Sequence, residues 1–600
     1  MQDFSPATAY QQQLQQLNLL LSTQKQKRRH LGWLRFIVFA LTIIASYQVF
    51  VYAGLYGWLA IAMGLGILLF LVSLDIDNNT NIKNTETLIH INEEELKILQ
   101  HYFYHRFDGN QYSAPIHDYA NDLDIFGKAS LYQWANRCFT EQGRDLLANN
   151  LLEPLPVQQV EERHEAIKEI SSLLQWRQQL QSYAIQTAIT NDTERKATTW
   201  IKEKEKHFVH PAWKIVVWVY TIVTLASLAA TILGYLPAST FSTLFFLYFI
   251  ISITLSRNTI KPYVLLGGIV KEISTLQSLV KCVEHQSFQS HLLNRLKADA
   301  KGNASSAAEE IKELKSILDR FDMRLNIAGL LFFNSFLLWD VRQMIALNEW
   351  RKRNREHLSK WFSMIAEIEV LNSLATIHFN QPEWTFPKFS NEHLTLNGSD
   401  IGHPLIPEST RVNNDFELTG IAKIGLITGS NMAGKSTFLR SLGVNIVLAQ
   451  TGSVVCARYF ELSPVHLMSS MRIADNLAEN TSTFYAELKK LKTIIESVNN
   501  HEQIFILLDE ILRGTNSLDR HTGSAALIRQ MIKQEAIAVI ATHDVELAKL
   551  EQEYPASIEN YHFDVQVEGE ELYFDYKLKQ GICTSLNASI LMKKIGIELS

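Results

Sequence analysis

The sequence predicts a multi-domain chain: four transmembrane helices in two hairpins, an all-α core that the second hairpin interrupts, and a C-terminal α/β domain. Three observations carry that reading. Apolar residues, 47% of the 600, are concentrated in four runs instead of being spread evenly. The stretches beside those runs place leucines at helical spacing between charged faces. From about residue 384 the pattern turns to short alternating strands, and three apolar strand-like runs then end in glycine, in paired carboxylates and in histidine. A chain of this length exceeds what one ordinary core organises, so several domains are expected.

The net charge of −6 offers no broad cationic face for nucleic acid, so any such contact must come from a local patch. Arg351-Lys352-Arg353 and Lys489-Lys490 read as solvated helix faces. Cys138, Cys282, Cys456 and Cys583 are far apart and lack CxxC pairing, which argues against zinc and against a secreted disulfide framework. Reduced core thiols are expected.

Residues 1–30 are polar and Gln-rich and close on a basic cluster, Lys25 to His30. The first hairpin, assigned to 31–75, joins an apolar run from Trp33 to Ala53, charged only at Arg35, to a second from Trp58 to Leu74. Each is near the roughly 20 residues that cross a bilayer core. The basic cluster ahead of them places both ends on the cytoplasmic side. Residues 76–212 read as the first part of a helical core. The second hairpin, 213–256, runs from Trp213 to Leu233 and from Phe241 to Leu255, with Lys202, Lys204 and Lys206 before it and Arg257 and Lys261 after it. The topology implied is four spans of the cytoplasmic (inner) membrane with every large segment inside. Residues 257–383 read as a second helical part. Within it, Leu325 to Trp339 is too short to span comfortably and contains Asn326 and Asn334, so a buried core helix is expected there. Residues 384–600 form the α/β domain.

In that domain Ile424 to Thr428 is followed by Gly429-Ser430-Asn431-Met432-Ala433-Gly434-Lys435-Ser436-Thr437. Strand, glycine-bordered loop and helix at this spacing let backbone amides approach a triphosphate. Lys435 is placed to reach β- and γ-phosphates, and Ser436 to hold Mg²⁺. Ile504 to Leu508 then ends in Asp509-Glu510, as a buried parallel strand whose carboxyl end faces ligand. Asp509 is placed to orient Mg²⁺ and Glu510 to polarise the attacking water. A third strand, Ala536 to Ala541, ends in Thr542-His543-Asp544. His543 there can donate to a γ-phosphate or to the attacking water, or simply bond backbone.

The motifs GSNMAGKST (429–437), TSTFYAEL (481–488), LLDEILRGTNSLDR (507–520) and ATHD (541–544) together resemble the ATPase domain of the MutS family, in that order. Leu123 to Leu131, then Thr140, Gly143, Arg144, Pro154 and Arg163, are similar to the start of that family's helical core, and Ile368 to Ala375 to its end. The likeness covers about residues 120–600 and is stronger after 400. It implies an ATPase of ABC type that uses ATP and Mg²⁺ and forms a homodimer through this domain. It also implies helical arms that clamp, usually on DNA, mismatched or branched. Gly429, Asn431, Met432, Gly434, Lys435, Ser436 and Thr437 would bind nucleotide, with Ser482 reaching it in trans. Ser436 and Asp509 would hold Mg²⁺, with Glu510 and His543 catalytic.

The sequence departs from the family as well. The residues before 120 offer no mismatch-reading domain with a Phe-x-Glu wedge. The second hairpin interrupts the helical region, and the reading expects no helix-turn-helix extension after Gly596. DNA is therefore an open partner. The competing layouts are an ABC-type half-transporter, against which stands the lack of a Leu-Ser-Gly-Gly-Gln signature, a membrane ATPase acting on a non-DNA partner, and a non-hydrolysing scaffold, which Lys435, Asp509, Glu510 and His543 oppose.

Overall fold

The computed structural model describes residues 5–203, 207–301, 306–325, 329–390, 394–430, 433–471, 483–500, 503–513, 515–568 and 571–583. The chain opens on two antiparallel helices, α1 (Pro6–Ala53) and α2 (Gly57–Leu99), turned at Gly54, whose φ of +56° suits a residue without Cβ. At 1.5 Å per residue α1 is about 70 Å long, so each helix far outruns its apolar stretch. Asp75, where the apolar run stops, lies inside α2 without a break.

Packing explains this length. Gly57, Gly64, Leu71, Asn78, Thr85 and Asn92 are all buried and lie seven residues apart, the seam of a coiled coil. A Cβ at Gly64 would meet the Thr42 side chain at 2.2 Å, so the helices approach closely where the small residues fall. Arg35, the lone charge of the first run, pairs with Asp75 at 3.1 Å, and the Asn78 amide donates to the Gln24 carbonyl at 3.0 Å.

The helical core follows: α3 (Glu141–Leu152), α4 (Val157–Ser172), α5 (Leu174–Gln186), then α6 (Ala212–Ile232) and α7 (Ala238–Ser256), then α8 (Val270–His285), α9 (Ala307–Phe321), α10 (Trp339–Asn354) and α11 (Leu358–Asn380). Helix α11 is buried along most of its length and packs on α3 and α4. Its Glu369 accepts the N–H groups of Phe139 (3.1 Å) and Thr140 (3.2 Å), just ahead of α3. Among the described residues, three helical stretches are long and apolar enough to cross a membrane by length and composition: 6–99, which contains both runs of the first hairpin, 212–232 and 238–259.

Of the expected core helix over Leu325 to Trp339, residues 326–328, with Asn326, lie outside the described residues, and the rest is not one continuous α-helix. Gly329–Asn334 is a wide π turn, Ser335–Leu337 a single further turn, and Leu338 at φ +46° breaks the helix before α10. Asn334 is the reason in part: its side-chain oxygen accepts the Asp340 N–H (3.2 Å) and its amide donates to Ser256 (2.8 Å), holding the break. Phe332 and Phe333 remain 60% and 40% exposed.

The last part is α/β. Strands β1 (Thr395–Ile401), β2 (Asn414–Thr419) and β4 (Tyr459–Leu462) make an antiparallel sheet with Lys388–Phe389 at its edge. The larger sheet has β3 (Ile424–Thr428), β5 (His466–Ser470), β6 (Ile504–Asp509), β7 (Ile537–Thr542), β8 (Ile558–Phe563) and β9 (Leu578–Gln580) in the order β9-β8-β3-β7-β6-β5, parallel except for β9. The helices here are α12 (Lys435–Thr451), α13 (Thr483–Asn499) and α14 (Ser517–Lys533). One sheet face shares a continuous apolar core with the helical region, and the other packs on α13 and α14. Arg163 of α4 joins the parts: it pairs with Glu367 of α11 (2.7 Å) and donates to the Thr451 carbonyl at the end of α12 (2.9 Å). All four cysteines are free thiols, three of them buried.

Candidate functional site

Register places the site. Thr428 of β3 lies opposite Thr542 of β7, and Asp509 of β6 opposite Ala541, so the three strands end at one level. The buried strand interiors force their polar terminal residues to this edge. Beyond β3, Gly429 has φ +141° and a Cβ there would meet the Phe563 carbonyl at 2.8 Å. Gly434 at φ +102° precedes α12, whose first residues are Lys435, Ser436 and Thr437.

Lys435 is buried, and its ammonium donates to the carbonyls of Gly429 (2.8 Å) and Ser430 (2.9 Å). Burial pushes its pKa down to about 8, against the pull of Glu510 and Asp509. The Ser436 hydroxyl donates to Asp509 Oδ2 at 2.6 Å. The other Asp509 oxygen is buried with no hydrogen-bond partner among the described residues. An orphaned carboxylate oxygen beside a serine hydroxyl is a donor set that fits Mg²⁺, which takes one or two protein oxygens and completes its shell with water and phosphate. Among the described residues no group of three or more His, Cys, Asp and Glu gathers as an all-protein metal cage.

Glu510 has the left-handed backbone (φ +52°), a strained setting for a non-glycine residue at a strand end. Its N–H is held by the Ala541 carbonyl (2.9 Å), and its carboxylate meets His543 Nε2 and Arg513 Nε (3.0 Å). The bond from His543 is the main force that draws the Glu510 pKa down, with Arg513 and Lys435 adding to it. His543 Nδ1 lies 3.1 Å from the Gly429 carbonyl, so the histidine bridges the glycine loop and the acidic pair.

The structure thus brings Gly429, Gly434, Lys435, Ser436, Asp509, Glu510 and His543 together, with Thr437 in the same first turn of α12 as Lys435 and Ser436. Asn431, Met432 and Ser482 lie outside the described residues. Sequence reasoning missed three contributors. Glu487 of α13 accepts the Leu512 N–H at 2.5 Å and so holds the turn after Glu510. Arg513 sits against both carboxylates, 3.6 Å from Asp509. Tyr576, with His403 and Arg411, walls a cavity of about 330 Å³ beside Gly434 and Thr437. Burial pushes His403 down to about 4, which keeps its ring neutral. Glu487, in TSTFYAEL, and Arg513, in LLDEILRGTNSLDR, lay inside the quoted motifs. Tyr576 had no local signal.

Strand, glycine-bordered turn, buried lysine and facing carboxylates define the class: a C-terminal α/β domain with its polar residues gathered at the carboxyl ends of parallel strands. The comparisons then specify it. Residues 425–594 match the family model for MutS domain V. The chain is 34% identical over 252 residues to a DNA mismatch repair protein MutS of Thermotoga sp. (strain RQ2), covering 41% of this chain and 31% of that protein. It is 31% identical over 247 residues to the protein of that name from Persephonella marina (40% and 28% covered), and 34% over 223 residues to that of Aquifex pyrophilus (36% and 26%). Through this domain the chain is similar to the MutS family. It spans less than a third of the length of these curated relatives.

Proposed function

We propose that this protein is a membrane-anchored MutS-like ATPase that binds and hydrolyses ATP to open and close its helical arms. The observation that carries the proposal is the convergence of Lys435, Ser436, Asp509, Glu510 and His543 at the carboxyl ends of β3, β6 and β7. Lys435 exchanges its bonds to the Gly429 and Ser430 carbonyls for phosphate oxygens, whose charge reverses the cost of its burial. Ser436 and Asp509 would hold Mg²⁺, which supplies neutralisation of phosphate charge. Glu510 orients water and takes its proton; His543 and Arg513 keep it ionised and aimed. The cavity beside Gly434, with His403 and Tyr576, takes the base and ribose.

Membrane anchoring is supported by length, apolarity and exposure. Phe36, Ile43, Leu65, Phe70, Trp218, Ile222, Phe246 and Ile250 are exposed large apolar residues on α1, α2, α6 and α7, more than a water-facing surface carries. Four spans in the cytoplasmic membrane with the ATPase domain inside is the topology we favour. The relatives' names bring DNA into view as a partner; homodimerisation through the ATPase domain follows from the same likeness. The Arg163 link carries α12 movement into α4 and α11, whatever the arms hold.

The test is ATP turnover by the purified full-length chain. Lys435→Ala is expected to abolish nucleotide binding and Glu510→Gln to stop turnover with binding retained. Unchanged turnover in both would remove the catalytic assignment. Binding to duplex DNA that weakens steeply with salt would establish phosphate contact, and no binding at low salt would exclude DNA.

A further inference from the structure

The break before α10 leaves main-chain groups that need partners, and α6 and α10 itself provide them. Leu338 turns out of the helix at φ +46°, which frees the carbonyls of the residues before it. The Tyr220 hydroxyl donates to the Ser335 carbonyl (2.8 Å), the Thr224 hydroxyl to the Phe336 carbonyl (2.7 Å), and Arg342 Nε to the Leu337 carbonyl (2.9 Å). Tyr220 and Thr224 lie about 12 and 18 Å along the roughly 30 Å of α6, at 1.5 Å per residue. The Tyr220 hydroxyl also meets the Tyr248 carbonyl (3.1 Å) in the middle of α7. The Phe336 ring reaches Phe245 (centroids 5.7 Å apart) and Phe241 (6.4 Å), in the half of α7 remote from α10. A backbone break at an aqueous surface would be satisfied by water. Here side chains satisfy it at the mid-level of two apolar helices, as irregular backbone within a bilayer requires.

The outer side of the segment is apolar and uncovered. Phe332 is 60% and Phe333 40% exposed, and Phe332 and Phe336 join Leu225, Leu228, Phe241 and Phe245 around an open cavity of about 430 Å³. Ile222 on α6 and Phe246 on α7 are exposed as well.

We propose that residues 329–338 are a re-entrant membrane element. It enters between α6 and α7 to mid-bilayer and returns into α10, with lipid acyl chains as the occupant of the cavity and the cover of Phe332 and Phe333. The proposal rests on the membrane reading of α6 and α7 given above. It adds a fifth membrane contact, joined directly to the helical arm, because α10 begins at Trp339 and carries buried Trp350 into the core.

The test is depth-dependent quenching on the full-length chain in nanodiscs of phosphatidylcholine and phosphatidylglycerol. Phe332→Cys and, separately, Phe333→Cys are labelled with bimane; Ile222→Cys on α6 is the control, and the unsubstituted chain sets the background from its own thiols. The expected result is about twofold quenching at all three positions by lipids with a mid-chain nitroxide, and little by aqueous iodide. Iodide quenching at 332 and 333 with lipid quenching at 222 overturns the re-entrant element and leaves the spans standing. Protection of 332 and 333 from both quenchers means that protein covers them, which also overturns it. Iodide quenching at 222 removes the membrane reading and the proposal with it.

Discussion

Glu487 accepts the main-chain N–H of Leu512 at 2.5 Å, tying helix α13 to the turn that carries Glu510. Both residues of that turn flanking Ile511, Glu510 and Leu512, have positive φ, at +52° and +62°. A buried carboxylate is therefore holding strained backbone next to the residue proposed to act on water.

Glu487→Ala is expected to slow ATP turnover about tenfold, since loss of one charge-assisted bond costs roughly 1.5 kcal/mol. Nucleotide affinity should be retained. Glu487→Gln keeps an acceptor for the Leu512 N–H and should restore most of the rate. Equal loss in both variants, or none in Glu487→Ala, would rule out a positioning role.

Lys435 gives a pH signature in the nucleotide-free protein. Its folded pKa of about 8 lies below the ordinary lysine value because the side chain is buried. Below pH 8 both states hold the proton and the fold bears the full cost of burying the charge. Between pH 8 and the ordinary value the folded state releases a proton that the unfolded state keeps, so stability rises. Lys435→Met lacks this group. Its stability advantage over the parent at pH 7 should shrink across that window in denaturant titrations; parallel curves would contradict the assignment.

Glu369 gives the opposite slope. Burial holds its carboxyl up at about 7, although the hydroxyl of Thr140 and the N–H groups of Phe139 and Thr140 pull it down. From the ordinary carboxylate range up to pH 7 the folded state binds more protons, so stability falls as pH rises and stays low above 7. Glu369→Gln should flatten this dependence and melt higher than the parent at pH 8. A variant that keeps the parent's slope would show that another group titrates.

Much of the α/β domain was legible in the sequence because its signals are local. The apolar strands 424–428, 504–509 and 537–542 each end at the residue where polar chemistry begins, and Gly429 and Gly434 mark backbone that other residues resist. The first hairpin was legible as two apolar runs. Its length was not, because residues 1–30 and 76–99 carry polar surfaces that hide a seven-residue seam of mixed type, in which Asn78, Thr85 and Asn92 stand beside Leu71. The interruption within 329–338 was hidden for a related reason. A short apolar run has the same composition as a core helix or a re-entrant turn, and only its neighbours α6 and α7 decide which.

By itself the sequence set the expectation for the chemistry, which residues would hold phosphate, metal and water, since that reading depends on residue type at fixed spacing along strand, loop and helix. Tertiary structure alone decided how that chemistry is held. Glu487 reaches the turn after Glu510, Arg163 ties the end of α12 to α4 and α11, and Tyr220 and Thr224 close the break at Leu338. Each joins positions from 25 to 288 residues apart. A chain brings such positions together only by burying the surfaces between them, and no local pattern records the outcome.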